Sequence, residues 1–297
     1  MRSLISSLAA LTIVLVAAQP AAATFPGREG RLGASQVQGF ERTLVTFNVD
    51  GSDARRVMGD GFSPRWSAGG RKLAWSTFDS VFVADGDGSN PRRVTSQLYF
   101  MSNIAISPDG RTLVVTRELP RNRRNWIRED LVLVDVATGR ERVLTYDAGS
   151  PAFSPDGKWV AFVDMGVQNR QGRYRDIGIV RTNGRDRRVV YRSARNRVTS
   201  SPDWSPTGAT IAFGCSGVVG GHYRDDLCLV GVRSGRMRVL ARGVAFGAWS
   251  PTGRRILVSG DDGSGGATEA MAVPSGGGTP TPLGWQGHAE AWQPLPR

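Results

Sequence analysis

The sequence predicts an all-β fold, a six-bladed β-propeller of four-stranded antiparallel blades. Its ring is closed by N-terminal strands pairing with the C-terminal strand. Three observations carry this reading. A short phrase returns about every 40–50 residues, a period that marks stacked or radial repeats. It reads RWSAGG at 65–70, AISPDG at 105–110, AFSPDG at 152–157, DWSPTG at 203–208, AWSPTG at 248–253 and, worn, AWQPLP at 291–296. A hairpin of constant length follows each of the first five copies, at 81–95, 131–145, 177–191, 227–241 and 270–284. The last phrase has no room after it for three more strands, and the missing pieces stand at the other end: 31–34 reads as a strand and 44–58 as a sixth hairpin.

Taken in chain order, the first 23 residues read as an export signal. Arg2 gives a positive start, residues 4–18 are apolar and uncharged, and Ala21-Ala22-Ala23 is a small-residue cleavage site. The apolar run is short for a membrane span, and no later stretch approaches one. The expected organisation is a signal peptide at 1–23, a short linker at 24–30 and the propeller at 31–297, secreted after cleavage to the extracellular space or periplasm.

Each blade then follows one grammar. An inner strand runs into Ser-Pro-Asp-Gly or a variant, where proline suits the second position of a tight turn and glycine tolerates the positive φ that ends it. Alternating strands such as 159–163 and 210–213 come next. A variable stretch leads into the hairpin, whose two strands flank a Gly-containing turn. Four antiparallel strands per repeat make one propeller blade. Trp66, Trp204, Trp249 and Trp292 stand at the anchor position and are expected in the core between blades.

The phrase [AV]-[WF]-S-P-D-G, followed by a D-[LI]-x-[LV] strand and a G-x-x-x-R-[VL]-[LV]-T ending, resembles the TolB-type, WD40-like propeller repeat family. The likeness covers nearly the whole chain after the signal. It implies the propeller fold, which occurs in TolB, in propellers attached to peptidases and in many exported proteins, so fold does not carry function. The sequence departs from those relatives: no α/β domain is expected before the propeller and no hydrolase domain after it.

The formal charge is +12, and the basic residues are arginine except for Lys72 and Lys158. Either the arginines serve anion contacts, through a planar fork that matches carboxylate and phosphate, or they reflect genome-wide codon use. The strand two–three loops gather at one face around the channel mouth. Those at 111–130, 158–176 and 209–226 are about twice the length of the one at 71–80, and long loops on a rigid scaffold are where binding residues concentrate. Candidate binding residues are Arg121, Arg123, Arg124, Trp126, Arg128, Arg173, Arg175, Arg195 and Arg197. They read as a docking sector for a protein or an anionic cell-surface polymer, or as a solvated face salted by Glu118, Glu129, Asp130, Asp176, Asp225 and Asp226. Trp126 reads as a stacking platform or as packing beneath its loop.

His288 joins the candidates, since it precedes the closing strand near Glu290 at the channel mouth. It reads as a general base or as a rim residue without a role. Arg65 and Asp203 complete the charged candidates on the inner strands. His222 and His288 fall in different blades, which argues against a His-ligated metal. Asp85-Gly-Asp87-Gly-Ser89 lacks the glycine and glutamate of a calcium loop and reads as a hairpin turn. No catalytic residue, metal or cofactor is expected, and nucleic acid is not expected as a partner. Cys215 and Cys228 are the only cysteines; on neighbouring strands of an exported chain they read as a disulfide or as two buried free thiols. A monomeric, non-catalytic binding scaffold is the favoured reading. A propeller enzyme of lactonase or glycan-lyase type, and a TolB-like subunit of an envelope complex, are the alternatives.

Overall fold

A computed structural model describes residues 25–38, 41–96, 103–119, 128–165, 175–193, 197–219, 222–261 and 268–297. Six antiparallel sheets stand in a ring. Blade I comprises Phe62–Trp66, Lys72–Ser76, Ser80–Asp85 and Arg92–Ser96. Blade II comprises Ile104–Ile106, Thr112–Leu119, Arg128–Asp135 and Glu141–Thr145. Blade III comprises Ala148–Phe153, Trp159–Asp164, Asp176–Arg181 and Arg188–Tyr191. Blade IV comprises Arg197–Trp204, Thr210–Val219, Asp226–Gly231 and Met237–Arg242, with the short strand His222–Arg224 beside the second. Blade V comprises Val244–Trp249, Arg255–Asp261, Thr268–Pro274 and Thr281–Gln286.

Blade VI is made from both ends of the chain. Its inner strand is Ala291–Leu295 and its outer strands are Arg28–Gln38, Glu41–Phe47 and Arg55–Gly59, in that order. Leu32 lies opposite Trp292 and Gly33 opposite Ala291. The predicted closure is therefore the observed one. The first outer strand starts at Arg28, so residues 28–30 belong to the sheet rather than to a linker. Arg28 Nε donates to Pro296 O at 3.0 Å and Glu290 N to Gly33 O at 2.8 Å, so the pairing continues at both ends of the seam.

The recurrent turn has one chemistry. The anchor serine Oγ accepts the amide of the residue five positions on: Lys72 to Ser67 at 3.0 Å, Thr112 to Ser107 at 2.9 Å and Trp159 to Ser154 at 2.9 Å. Thr210 to Ser205 and Arg255 to Ser250 repeat it at 3.2 and 3.1 Å. The closing glycine takes a left-handed backbone, as at Gly110 with φ 74°, which a residue with a Cβ adopts only at a cost. In the worn sixth copy Gln293 replaces the serine and acts as a latch. Its Oε1 accepts Arg31 N–H at 3.2 Å from the N-terminal strand, and its Nε2 donates to Gly86 O of blade I at 3.3 Å.

Six apolar clusters fill the ring, one at each junction between blades among the described residues. The four anchor tryptophans are buried, each no more than 4% exposed, as expected. Burial on both faces of each sheet explains the near-continuous apolar runs of the second and third strands.

Arginines on the outermost strands tie neighbouring blades together. Arg92 of blade I donates to Val136 O of blade II, Arg142 of II to Thr182 O of III, Arg188 of III to Val232 O of IV, and Arg238 of IV to Ser275 O of V. The same hairpin position holds Thr281 in blade V, so the V–VI junction uses other contacts. There Glu29 pairs with Arg255 and accepts from Thr252 Oγ1 at 2.8 Å, and Phe47 stacks on Trp285 at 4.0 Å. A charge-assisted bond of this kind, partly exposed to water, contributes about 1 kcal/mol. Arg142→Gln is expected to lower stability by about that amount in urea unfolding, while Arg140→Gln, one turn away without such a tie, leaves the midpoint unchanged.

Candidate functional site: the mouth of the central channel

The inner strands run from the loop side of the ring to its turn side. On the loop side they are kinked by bulges, where the register shifts between Phe62 and Arg65, Gly149 and Ala152, and Ser200 and Asp203. Ser63, Ser150 and Ser201 sit in these bulges with φ of 54°, 51° and 44°. Such angles are uncommon for residues other than glycine, and bulges re-aim the side chains that flank them. A proline follows each serine. The sequence did carry this signal, since Ser-Pro recurs three residues ahead of Trp66, Phe153 and Trp204, but the longer Ser-Pro-Asp-Gly phrase obscures it.

Above the bulges lies a chamber of about 530 Å³ lined by residues of the inner strands and their neighbours, including Arg42, Phe62, Arg65, Phe78, His288 and Glu290. Arg65, His288 and Glu290 were expected here. Asp203 lies deeper, against the channel's narrower part, and its Oδ2 accepts Trp249 N–H at 3.0 Å across the blade junction. Glu290 Oε1 accepts Ser35 N–H at 3.1 Å, and Arg65 Nη1 donates to Pro64 O and Glu290 O at 2.7 and 3.2 Å. The chamber and the narrower part share Arg65, Asn103, Ser201, Gly247 and Glu290, so they form one channel. At the turn end Gly27 N donates to Pro251 O at 3.3 Å, and Phe25, 8% exposed, lines the channel floor.

Arg42, Phe62 and Phe78 were missed in the sequence. Arg42 lies over both rings, 5.2 Å from the centroid of Phe62 and 5.9 Å from that of Phe78, and the two rings meet at 5.6 Å. Phe78 is 59% exposed. No local pattern marks this group, because its members come from blade VI and blade I.

Among the other candidates, Arg121, Arg123, Arg124, Trp126, Arg173 and Arg195 lie outside the described residues. Arg128 opens the third strand of blade II opposite Leu119, Arg175 immediately precedes the third strand of blade III, and Arg197 opens the inner strand of blade IV opposite Gly217. These three stand at the loop side of consecutive blades.

Several loop-side carboxylates are structural rather than solvated. Asp130 and Asp226 are each 2% exposed. Asp130, Asp176 and Asp226, at the same hairpin position, accept backbone amides of the link to the next blade: Asp147 N at 3.3 Å, Ser193 N at 2.8 Å and Gly243 N at 3.3 Å. That is the physical role of the aspartate in the D-[LI]-x-[LV] phrase. Asp226 also takes both Arg224 Nε and Nη2, at 2.8 and 3.0 Å.

The long loop of blade IV is largely a β-hairpin. Its second strand continues past Cys215 to Val219 and pairs with His222–Arg224, so part of the stretch expected as a long loop is regular strand. Cys215 and Cys228 are joined by a disulfide, with Cα atoms 5.8 Å apart, strapping the second and third strands at the base of this hairpin. The Asp85–Ser89 stretch is the expected hairpin turn. Asp87 Oδ1 accepts Ser89 N–H and Oγ–H at 2.9 and 2.7 Å, and the hydroxyl bond holds its carboxyl below the usual range. Among the described residues no group of three or more His, Cys, Asp or Glu is placed to hold a metal ion. No described helix is long and apolar enough to cross a membrane.

A closed six-bladed ring with a deep channel open on its loop side defines the class. Residues 34–295 match the PD40 family, the TolB beta propeller domain, and the chain belongs to it. Among curated proteins it is similar to the uncharacterized peptidase YuxL of Bacillus subtilis (strain 168), 31% identical over 33% of this chain and 21% of that protein. The chain thus spans about a fifth of that relative's length. Among solved structures it is similar to TolB from Acinetobacter baumannii, with a TM-score of 0.71 and 18% identity over 91% of this chain and 68% of that one. It is also similar to an oligogalacturonate lyase in complex with manganese, with a TM-score of 0.57 and 13% identity over 86% and 85%. At these identities the two structures speak for the fold alone.

Proposed function

We propose that the protein is a secreted, monomeric, non-catalytic binding scaffold that recognises a protein or an anionic polymer at the cell envelope. Recognition takes place through the loop side of the ring. The observation that carries this reading is the arrangement of that side: Arg128, Arg175 and Arg197 stand on it in consecutive blades. Of the aspartates on that side, Asp130 and Asp226 are buried, Asp130 accepting a backbone amide and Asp226 a backbone amide together with the Arg224 guanidinium. The disulfide supports an oxidising compartment, in keeping with the signal-like first 23 residues. The test is retention on an immobilised polyanion such as heparin at rising salt. Arg121→Glu, Arg123→Glu and Arg124→Glu together should shift elution to clearly lower salt, because each lost phosphate- or carboxylate-type contact reduces the salt dependence. Unchanged elution overturns docking through these loops.

A second reading, a glycan-lyase-like enzyme, is favoured by the likeness to an oligogalacturonate lyase and by His288 beside Glu290 at the mouth. Absorbance from an unsaturated product, released from oligogalacturonate with manganese present and lost in His288→Ala, would establish it. No such absorbance leaves the scaffold reading standing.

A further inference from the structure

The rim of the channel is uneven. In blades VI, II and IV, which alternate around the ring, the second strands run on to Gln38, Leu119 and Val219, and each pairs there with the return strand. In blade I the second strand ends at Ser76, and Thr77 N donates to Ser80 O at 2.8 Å in a tight turn. Blade I is therefore the low side of the rim, between the raised hairpins of VI and II. Phe78 is exposed on this low side, with Phe62 against it and Arg42 of the blade VI hairpin over both rings.

Two features make this corner a site rather than a surface accident. Among the described residues Arg42 enters no ion pair, and Arg65 in the same chamber donates only to backbone carbonyls. A cation resting on aromatic faces is held in place without being neutralised, so it keeps its capacity for an anion. The chamber's volume, about 530 Å³, also falls in the range of small-ligand pockets. The titratable groups facing it are Arg42, Arg65, Glu118, His288 and Glu290. Glu290 is engaged by Ser35 N–H, whereas Glu118 stands on the blade II hairpin. One carboxylate on a ligand is thus matched by the arginines, while a densely charged polyanion meets Glu118. Phe25 lines the floor at the opposite end, so entry is from the loop side.

We propose that this chamber binds a monocarboxylate carried on a flat ring, its acid paired with Arg42 and Arg65 and its ring stacked on Phe78. The proposal rests on the binding-scaffold reading and specifies its ligand. It concerns one anionic group, supplied either by a free aromatic acid or by the carboxyl end of a chain that ends in an aromatic residue.

The test is NMR titration of the full chain after the signal, with the Arg42 Nε–H resonance as reporter. Benzoate stands for the free acid and N-acetyl-phenylalanine for the chain end; benzamide lacks the charge and acetate lacks the ring. Saturable shifts are expected with benzoate or N-acetyl-phenylalanine, whichever binds more tightly naming the source, and at least tenfold weaker ones with benzamide and acetate. Arg42→Gln, read on the His288 ring, and Phe78→Ser should each weaken the acid at least tenfold while the remaining spectrum stays in place. Equal binding of benzamide, no saturable shift with either acid, or unchanged affinity in both variants overturns the proposal. Heparin retention depends on Arg121, Arg123 and Arg124, so a chain that passes that test and fails this one loses the chamber and keeps the scaffold.

Discussion

Deleting residues 291–297 is expected to abolish the folded ring. The deletion removes the inner strand of blade VI, together with Trp292, which is 3% exposed and packed with Leu32, Phe47 and Leu257. It also removes the Gln293 latch between Arg31 and Gly86. Truncating one buried aromatic to alanine costs about 3–5 kcal/mol, and domains hold only about 5–15 kcal/mol in total. The loss of a strand with its ladder, its tryptophan and its latch exceeds that reserve. Far-UV circular dichroism and gel filtration should report a chain that is unfolded or aggregated at 25 °C. Adding a synthetic peptide of residues 286–297 should restore a cooperative transition, because the missing piece is one strand and its partners remain in the chain.

The second large effect concerns blade IV. The Cys215–Cys228 disulfide spans a sequence separation of 13 residues, and both cysteines are at most 1% exposed. On the chain-entropy account, closing a loop of this size stabilises by about 3 kcal/mol. Replacing both cysteines with alanine is expected to lower the stability of the chain by about that amount in denaturant unfolding. The loss should also appear locally. Exchange of backbone amides in Thr210–Val219 and His222–Arg224 is expected to accelerate more than exchange in blade I. A double variant as stable as the wild-type chain would show that packing of the Phe213 and Val230 cluster alone holds this hairpin.

The blades and their closure were legible because turn chemistry is local. Pro108 and Gly110 each report a backbone angle from within one turn, and the same pair recurs at Pro155 and Gly157, Pro206 and Gly208, and Pro251 and Gly253. The ends of the chain were equally readable, since 44–58 carries the same hairpin pattern as the other copies. The inter-blade arginines were half legible. Charged residues on an outermost strand such as Arg92, Arg142 and Arg188 discourage edge pairing whatever else they do, but these turn toward the next blade, and only the ring brings Arg142 to Thr182 O. Asp130 and Asp226 read as surface charges because nothing in the sequence shows the link whose amides they accept. The extended hairpin of blade IV escaped because Gly214, Ser216 and Gly217 lack the apolar alternation of a buried strand. The group of Arg42, Phe62 and Phe78 was invisible for a different reason: its three residues come from two adjoining blades, with Asp60 N–H on Arg42 O setting the corner, and no periodicity records that contact.

Ring closure by the chain's own two ends is the claim on which the channel, its mouth and the sorting of loops to one side all depend. Hydrogen exchange read by mass spectrometry, on the chain carrying Trp292→Ala, tests it most directly. The account predicts that Arg28–Gln38 and Ala291–Leu295 lose protection together, while Trp159–Asp164 on the far side of the ring keeps its own. Faster exchange confined to Ala291–Leu295, with Arg28–Gln38 protected as before, would contradict it.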